Sequence, residues 1–425
     1  MSEMQEVKID QTRDSYYQMR HSSGLQIFVL PKPESHSTYA VFGTRYGSID
    51  NVFRRSDEKE VTRVPAGIAH YLEHKMFENQ DGVDTFARYA KTGANANAYT
   101  SFDKTCYLFS CSSHFYDSLE ILLDFVQHPY FTEQTVQKEQ GIIGQEIRMY
   151  DDDPMWKVLF NMLGAMYQTH PVKEDIAGTV ESIAEITPEL LYQCYHTFYN
   201  LNNMALCIAG NADPVKVVEL CDKMLKPSED VHVERIFAKE PPEILKARVC
   251  QKGSVATPVF YFGFKEDASR RPTTAETVQT DILLEALSGD ISPLFRRLLD
   301  AGLINESSFS GNYFEGPGYA CVIFSGESKN PDAVAAEIQK ELASVRRNGF
   351  DPALFADAQK AVYGDAISNF NSPELLANSM ITSYFAGRSI ADAVSAAANA
   401  TAEDLQKRMQ VQLLPQNAVL SIIEP

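Results

Sequence analysis

No stretch of this sequence approaches the ~20 apolar residues needed to span a membrane. The opening residues, Met1-Ser2-Glu3-Met4-Gln5-Glu6-Val7, carry neither a basic cluster nor an apolar run, so no signal peptide is expected. Basic residues are scarce. Against 57 Asp and Glu stand 38 Lys and Arg, and the formal charge of -19 argues against nucleic acid or a membrane surface as partner. Cysteine is sparse and unpatterned. Cys106, Cys111, Cys194, Cys207, Cys221, Cys250 and Cys321 are odd in number and form no C-x-x-C. That fits reduced thiols in a cytoplasm better than a disulfide framework or a zinc ribbon.

What is present is ordinary globular material, 44% hydrophobic and 22% charged. A chain of 425 residues is too long for one compact core, so two or three domains are expected. Pro65-Ala66-Gly67-Ile68-Ala69-His70-Tyr71-Leu72-Glu73-His74-Lys75-Met76-Phe77-Glu78 reads as an amphipathic helix opened by Pro65. Ile68, Leu72 and Met76 would line a core-facing stripe. His70, Glu73, His74 and Phe77, at i, i+3, i+4 and i+7, share another face. Two imidazoles one turn apart can hold a single metal ion, and a carboxylate beside the second can act on water there. The order H-x-x-E-H is the reverse of the commoner H-E-x-x-H.

A lone helical His is usually a surface or satisfied core residue, and such a string arises by chance in on the order of one chain in a hundred. The helical setting and the apolar opposite face favour the metal site. Tetrahedral zinc with one bound water needs a third protein ligand. Glu139 and Glu146, seven residues apart, share one face of a helix that runs from near Thr132 until Asp151-Asp152-Asp153-Pro154 closes it. Either one could ligate while the other braces a ligand.

The chain also repeats itself. Thr187-Pro188-Glu189-Leu190-Leu191 leads to the strand Met204-Ala205-Leu206-Cys207-Ile208-Ala209, and Thr401-Ala402-Glu403-Asp404-Leu405 leads to Ala418-Val419-Leu420-Ser421-Ile422. The offset is 214 in both cases, close to half the chain, which predicts two tandem copies of one domain. The same offset carries His70 to Leu284, Glu73 to Leu287 and His74 to Ser288, so the second copy keeps a helix there without ligands.

Three stretches carry a resemblance to the pitrilysin/insulinase family of zinc metallopeptidases. They are Gly67-Ile68-Ala69-His70-Tyr71-Leu72-Glu73-His74, Gly93-Ala94-Asn95-Ala96-Asn97-Ala98-Tyr99-Thr100-Ser101, and the segment from Glu139 to Pro154. Within the family the chain resembles bacterial two-domain members related to the mitochondrial processing peptidase β-subunit. The resemblance implies an α+β fold of two tandem homologous domains, each a mostly antiparallel sheet with helices packed on one face. The expected division is a zinc-binding domain over 1–228, a linker over 229–244 and a non-zinc domain over 245–425.

The resemblance further implies Zn2+ on His70, His74 and Glu146, with Glu139 beside them and Glu73 as general base. Asn97, Ala98, Tyr99 and Thr100 would form an edge strand on which peptides dock, with Phe77 nearby. The activity implied is zinc-dependent cleavage of short or unfolded peptides. One rival is a non-catalytic peptide-binding or assembly subunit, and another is a hydrolase of small amides. The family's second domain usually supplies an Arg and a Tyr seven residues apart near the zinc. Here Leu299 falls near the Arg position and Asn305 or Glu306 near the Tyr, while Arg296 and Arg297 are followed seven residues on by Leu303 and Ile304. The expected partner is therefore a homologous chain carrying that pair, in a heterodimer, with a homodimer as the alternative.

Overall fold

The computed structural model describes residues 4–228 and 230–425. Residues 1–3 of the expected N-terminus and Glu229, the first residue of the expected linker, lie outside the described residues. The chain divides into two compact units, and neither is one continuous piece of sequence. The first holds the residues up to Ile147 together with Asp175–Ile236 and Ser368–Ala391. The second holds Arg148–Glu174, Phe237–Ile367 and Asp392–Pro425. This departs from the linear division at 228 and 245, because each half of the sequence gives the other unit a helix.

The first unit is built on a seven-stranded sheet. Its strands lie in the order Gln5–Ile9, Asp14–Arg20, Gln26–Pro31, Met204–Gly210, Thr38–Thr44, Thr105–Cys111 and Asn95–Thr100. The second unit has five strands, in the order Arg248–Lys252, Ala418–Glu424, Val259–Lys265, Tyr319–Glu327 and Ser310–Gly316. The last five strands of the first sheet and the five of the second have the same order and sense. In each, the first pair is parallel and the others antiparallel. Adding 214 to Pro188–Phe198, Leu201–Asn203 and Met204–Gly210 gives the helices Ala402–Gln412 and Pro415–Asn417 and the strand Ala418–Glu424. Thr187 and Thr401 both cap their helices through the side chain. The duplication read from the sequence is a duplication of structure.

The exchanged helices are seated on glycines. In the strand Thr38–Thr44 every residue is buried, so both faces are covered. Phe42 pairs with Leu206, and Phe262 pairs with Leu420 in the second sheet, which makes Gly43 and Gly263 equivalent positions. A Cβ on Gly43 would come within 2.6 Å of Ile381 Cδ1 in the helix Pro373–Phe385. A Cβ on Gly263 would come within 2.5 Å of Met162 Sδ in the helix Pro154–Met166. Gly43→Val is expected to cost about 1–3 kcal/mol or more, the usual scale of overpacking, measured by chemical denaturation. An unchanged midpoint would mean that the helix is not seated there.

The expected linker is structured instead. Val233–Arg235 pairs as a strand with Val52–Arg55, and the Arg235 guanidinium meets the buried Asp50 carboxylate at 2.7 Å. Further on, Glu240 accepts hydrogen bonds from the backbone N–H of Gln168, Thr169 and His170 and from the buried Lys265 ammonium. Arg235 and Glu240 are thus held in ion pairs, while Asp230, His232, Glu234, Lys239 and Glu243 remain exposed.

His170, 1% exposed, lies against Phe237, accepts from the Val172 N–H through Nδ1 and donates to the Pro317 carbonyl through Nε2. Burial pushes its pKa from the usual 6.5 to about 4, so the folded state holds the neutral ring. Protonation would place a second donor against the Val172 N–H. The stabilisation is complete above the unfolded value of 6.5 and is lost as pH falls through about 4. It amounts to at most about 3 kcal/mol. Denaturation midpoints across that interval should fall more for the native chain than for His170→Asn, whose side-chain oxygen can still accept from Val172.

Candidate metal centre

The site lies wholly within the first unit. Its helix spans Ile68–Lys75, three residues later than the Pro65 start expected from the sequence. Gly67 sets that start at φ 88, a left-handed conformation, and a Cβ there would collide with the Ala177 carbonyl. The segment around Ala177 therefore fixes where the helix begins. Ile68, Leu72 and Met76 are buried as expected, but so are Ala69, Tyr71 and Lys75, and the helix is covered nearly all round. It packs on the strands Asn95–Thr100 and Thr105–Cys111 and on the helix Pro188–Phe198. The Tyr71 hydroxyl donates to the Val136 carbonyl of the long helix Glu133–Asp152. That helix ends where expected, with Asp153 capping the next helix and Pro154 at its first position.

The bond from Tyr71 brings the two helices together with their acidic and imidazole faces opposed. His70 Nε2 lies 3.8 Å from Glu146 Oε1, and His74 Nε2 lies 3.5 Å from Glu146 Oε2. Glu139 Oε1 meets the other nitrogen of His74, Nδ1, at 3.0 Å. One ligand atom from each of His70, His74 and Glu146 lies within 4.8 Å of the others. The two glutamates that spacing alone leaves equivalent thus stand in different places. Glu146 faces both Nε2 atoms, while Glu139 holds the back of the His74 ring in the manner of a second-layer carboxylate.

The electrostatics follow from burial and charge. Burial, then the neighbouring His74, push His70 down to about 4, so its ring is neutral. Burial would also lower His74, but the hydrogen bond to Glu139 and the charges of Glu73, Glu146 and Glu139 raise it. Burial would raise Glu139, yet the bond from His74 and then the charges of His74, Lys75 and Lys138 hold it below the usual range. Glu73, 8% exposed, is raised to about 7 by burial, offset in part by a hydrogen bond from Thr100. Three carboxylates around two imidazoles make a field that favours a cation.

Beside the centre is a cleft of about 740 Å³, lined among others by Glu73, His74, Phe77, Phe86, Asn97 and Ala98. Phe77 lies beyond the helix end and stacks on Phe86 at 4.5 Å. Asn95–Thr100 ends its sheet, and among the described residues it pairs only with Thr105–Cys111, so its outer edge is unpaired. Of the side chains expected to contact substrate, Phe77, Asn97 and Ala98 line the cleft. The other two point elsewhere. The Tyr99 hydroxyl donates to Asn378, and Thr100 bonds Glu73. Asn378 and the Thr100 contact escape sequence reasoning, since nothing local in the sequence signals either.

Residues 59–180 match the family model of insulinase (peptidase family M16), and residues 185–362 match that of the peptidase M16 inactive domain. The chain is also 39% identical over 429 residues, 99% of both sequences, to a protein of Bacillus subtilis named an uncharacterized zinc protease, YmfH. The chain belongs to peptidase family M16. Its fold superposes on the crystal structure of an M16-like peptidase from Alicyclobacillus acidocaldarius with a TM-score of 0.93, at 37% identity over 97% of this chain and 98% of that one. A protease from Helicobacter pylori gives 0.83 at 20% identity, covering 96% and 99%, which speaks for the fold alone.

The M16 inactive-domain match fits the composition of the second half, where no histidine follows His232. The helix Thr274–Ser288 there carries Leu284, Leu287 and Ser288 in place of ligands. Leu299, the position that the resemblance sets against the Arg, lies in the helix Pro293–Asp300, and Asn305 and Glu306 lie beyond its end. Arg297 is engaged with Glu341 at 2.5 Å and Glu337 at 3.7 Å, and Asn305 contacts Glu327. The donor set at His70, His74 and Glu146, two imidazoles and a carboxylate, is one that suits zinc. Among the described residues no helix is long and apolar enough to cross a membrane.

Proposed function

We propose that this M16 chain is a zinc-dependent endopeptidase acting on short or unfolded peptides. The observation that carries the reading is the convergence of His70, His74 and Glu146 beside the buried carboxylate of Glu73. His70 and His74, through Nε2, and Glu146, through its carboxylate, would hold Zn2+, with Glu139 fixing the His74 ring. Zinc held there supplies a Lewis acid that polarises a peptide carbonyl and makes water more acidic. Glu73 takes the proton of the attacking water and later gives it to the leaving amine. The unpaired edge of Asn95–Thr100 offers main-chain donors and acceptors to an extended peptide, which gives affinity with little dependence on sequence.

A substrate that must add as a strand has to be unfolded where it binds. The purified chain should cleave a quenched pool of unstructured peptides, leave compact native proteins intact, and bind more weakly when the docking segment contains proline, which lacks a ladder donor. Rapid digestion of a native protein at internal sites would overturn the docking model. Peptide binding without any cleavage would favour the non-catalytic subunit instead.

The same reading includes a partner. Leu299 cannot supply the Arg, nor Asn305 or Glu306 the Tyr, that the family resemblance calls for, and Arg297 is already held by Glu341. We therefore extend the proposal to a homologous second chain that carries the pair. Turnover by the single chain should then be slow and should rise when such a chain is added. Strong turnover that survives dilution would remove the need for a partner and turn attention to Arg296.

A further inference from the structure

Thr100 is the last residue of the edge strand Asn95–Thr100. Side chains alternate along a strand, and the neighbouring Tyr99 points its hydroxyl to Asn378 of the exchanged helix. Thr100 therefore points to the opposite side, where its Oγ1 lies 2.5 Å from Glu73 Oε2. A second hydroxyl stands behind it. Thr105, fully buried on the adjacent strand, has its Oγ1 3.2 Å from that of Thr100 and donates to the Tyr46 carbonyl at 2.9 Å.

Counting protons gives this chain a direction. A hydroxyl has one proton, and that of Thr105 goes to the Tyr46 carbonyl, so toward Thr100 it presents only lone pairs. An ionised Glu73 is an acceptor only. The single proton of Thr100 thus has two acceptors within reach, and it goes to the one that is both nearer and charged. No other side chain donates a hydrogen bond to Glu73 among the described residues. The terminal torsion of a glutamate is broad and only weakly held by its own sterics. The bond from Thr100 is what fixes it here, tying Oε2 and leaving Oε1 to receive a proton.

We infer that Thr100 is a positioning residue that aims the Glu73 carboxylate, with Thr105 bracing it from behind. The inference rests on the endopeptidase reading above and adds to it the group that sets the geometry of the base. Among the described residues the Thr100 side chain hydrogen-bonds Glu73 and Thr105 and none of His70, His74 and Glu146. Its loss should therefore appear in the chemical step rather than in binding.

The test compares the native chain, Glu73→Gln, Thr100→Val and Thr100→Ser, each assayed for bound zinc, kcat and KM on one quenched peptide. Thr100→Val keeps the branched shape and removes the hydroxyl. It should retain zinc and a native circular dichroism spectrum, keep KM within about twofold, and lose about 10- to 100-fold in kcat, the scale of a misaimed reacting group. Thr100→Ser restores the donor and should recover most of that loss. If Thr100→Val does not fold, Thr100→Ala, compared with Thr100→Ser, answers the same question. An unchanged kcat, a loss carried by KM, or a serine variant as slow as the valine one would overturn the inference. A native chain with no zinc-dependent turnover, even when the homologous partner is present, would instead sink the endopeptidase reading itself, so the two failures are distinct.

Discussion

Glu146→Gln is expected to strip zinc from the chain, whereas Glu139→Gln leaves it bound with affinity lowered by about 10- to 100-fold. The two residues lie on the same helix but face different nitrogens of His74, and Glu146 faces His70 as well. Glu146 approaches both Nε2 atoms, so its amide would remove one of three ligands and the negative charge that favours a dication. Glu139 meets Nδ1, so its amide would loosen the ring without entering the coordination shell. His70→Ala and His74→Ala should behave as Glu146→Gln does. Metal analysis of dialysed variants reads all four. Zinc lost from Glu139→Gln and kept by Glu146→Gln would reverse the assignment.

Glu73→Gln separates the base from the ligands. The amide has nearly the shape of the carboxylate and can still accept from Thr100, so zinc content and unfolding midpoint should match those of the native chain. It cannot take up a proton, and turnover should fall by roughly 10²–10⁴-fold, the usual weight of a general base. Loss of metal along with activity would mean that Glu73 ligates.

His70, Glu73 and His74 were legible in the sequence because their geometry is local: one helical turn fixes their spacing. The duplication was legible for the same reason, since Thr187 and Thr401 cap helices that lead to strands at one offset. Glu139 and Glu146 could not be told apart from spacing, because seven residues return to the same helix face and only the orientation of the His74 ring separates them. Pro65 suggested a helix start that Gly67 and the Ala177 carbonyl move to Ile68, a contact between segments about 110 residues apart. The helix exchange left no local trace. An apolar helix face suits either sheet, and only Gly43 and Gly263, read as pockets for a crossing helix, hold the information. The polar stretch after Ser228 looked like a linker because composition does not show that Arg235 and Glu240 are ion-paired.

On the proposed function, one zinc ion on His70, His74 and Glu146 makes this chain a peptidase. The most direct measurement loads metal-free protein with increasing zinc and reads bound metal and turnover of an unstructured quenched peptide in the same samples. Turnover should rise in proportion to bound zinc and level off at one ion per chain, with Glu73→Gln filling identically and remaining inactive. Turnover in metal-free protein, or a filled site with no turnover even when the homologous partner is present, would contradict the proposed function.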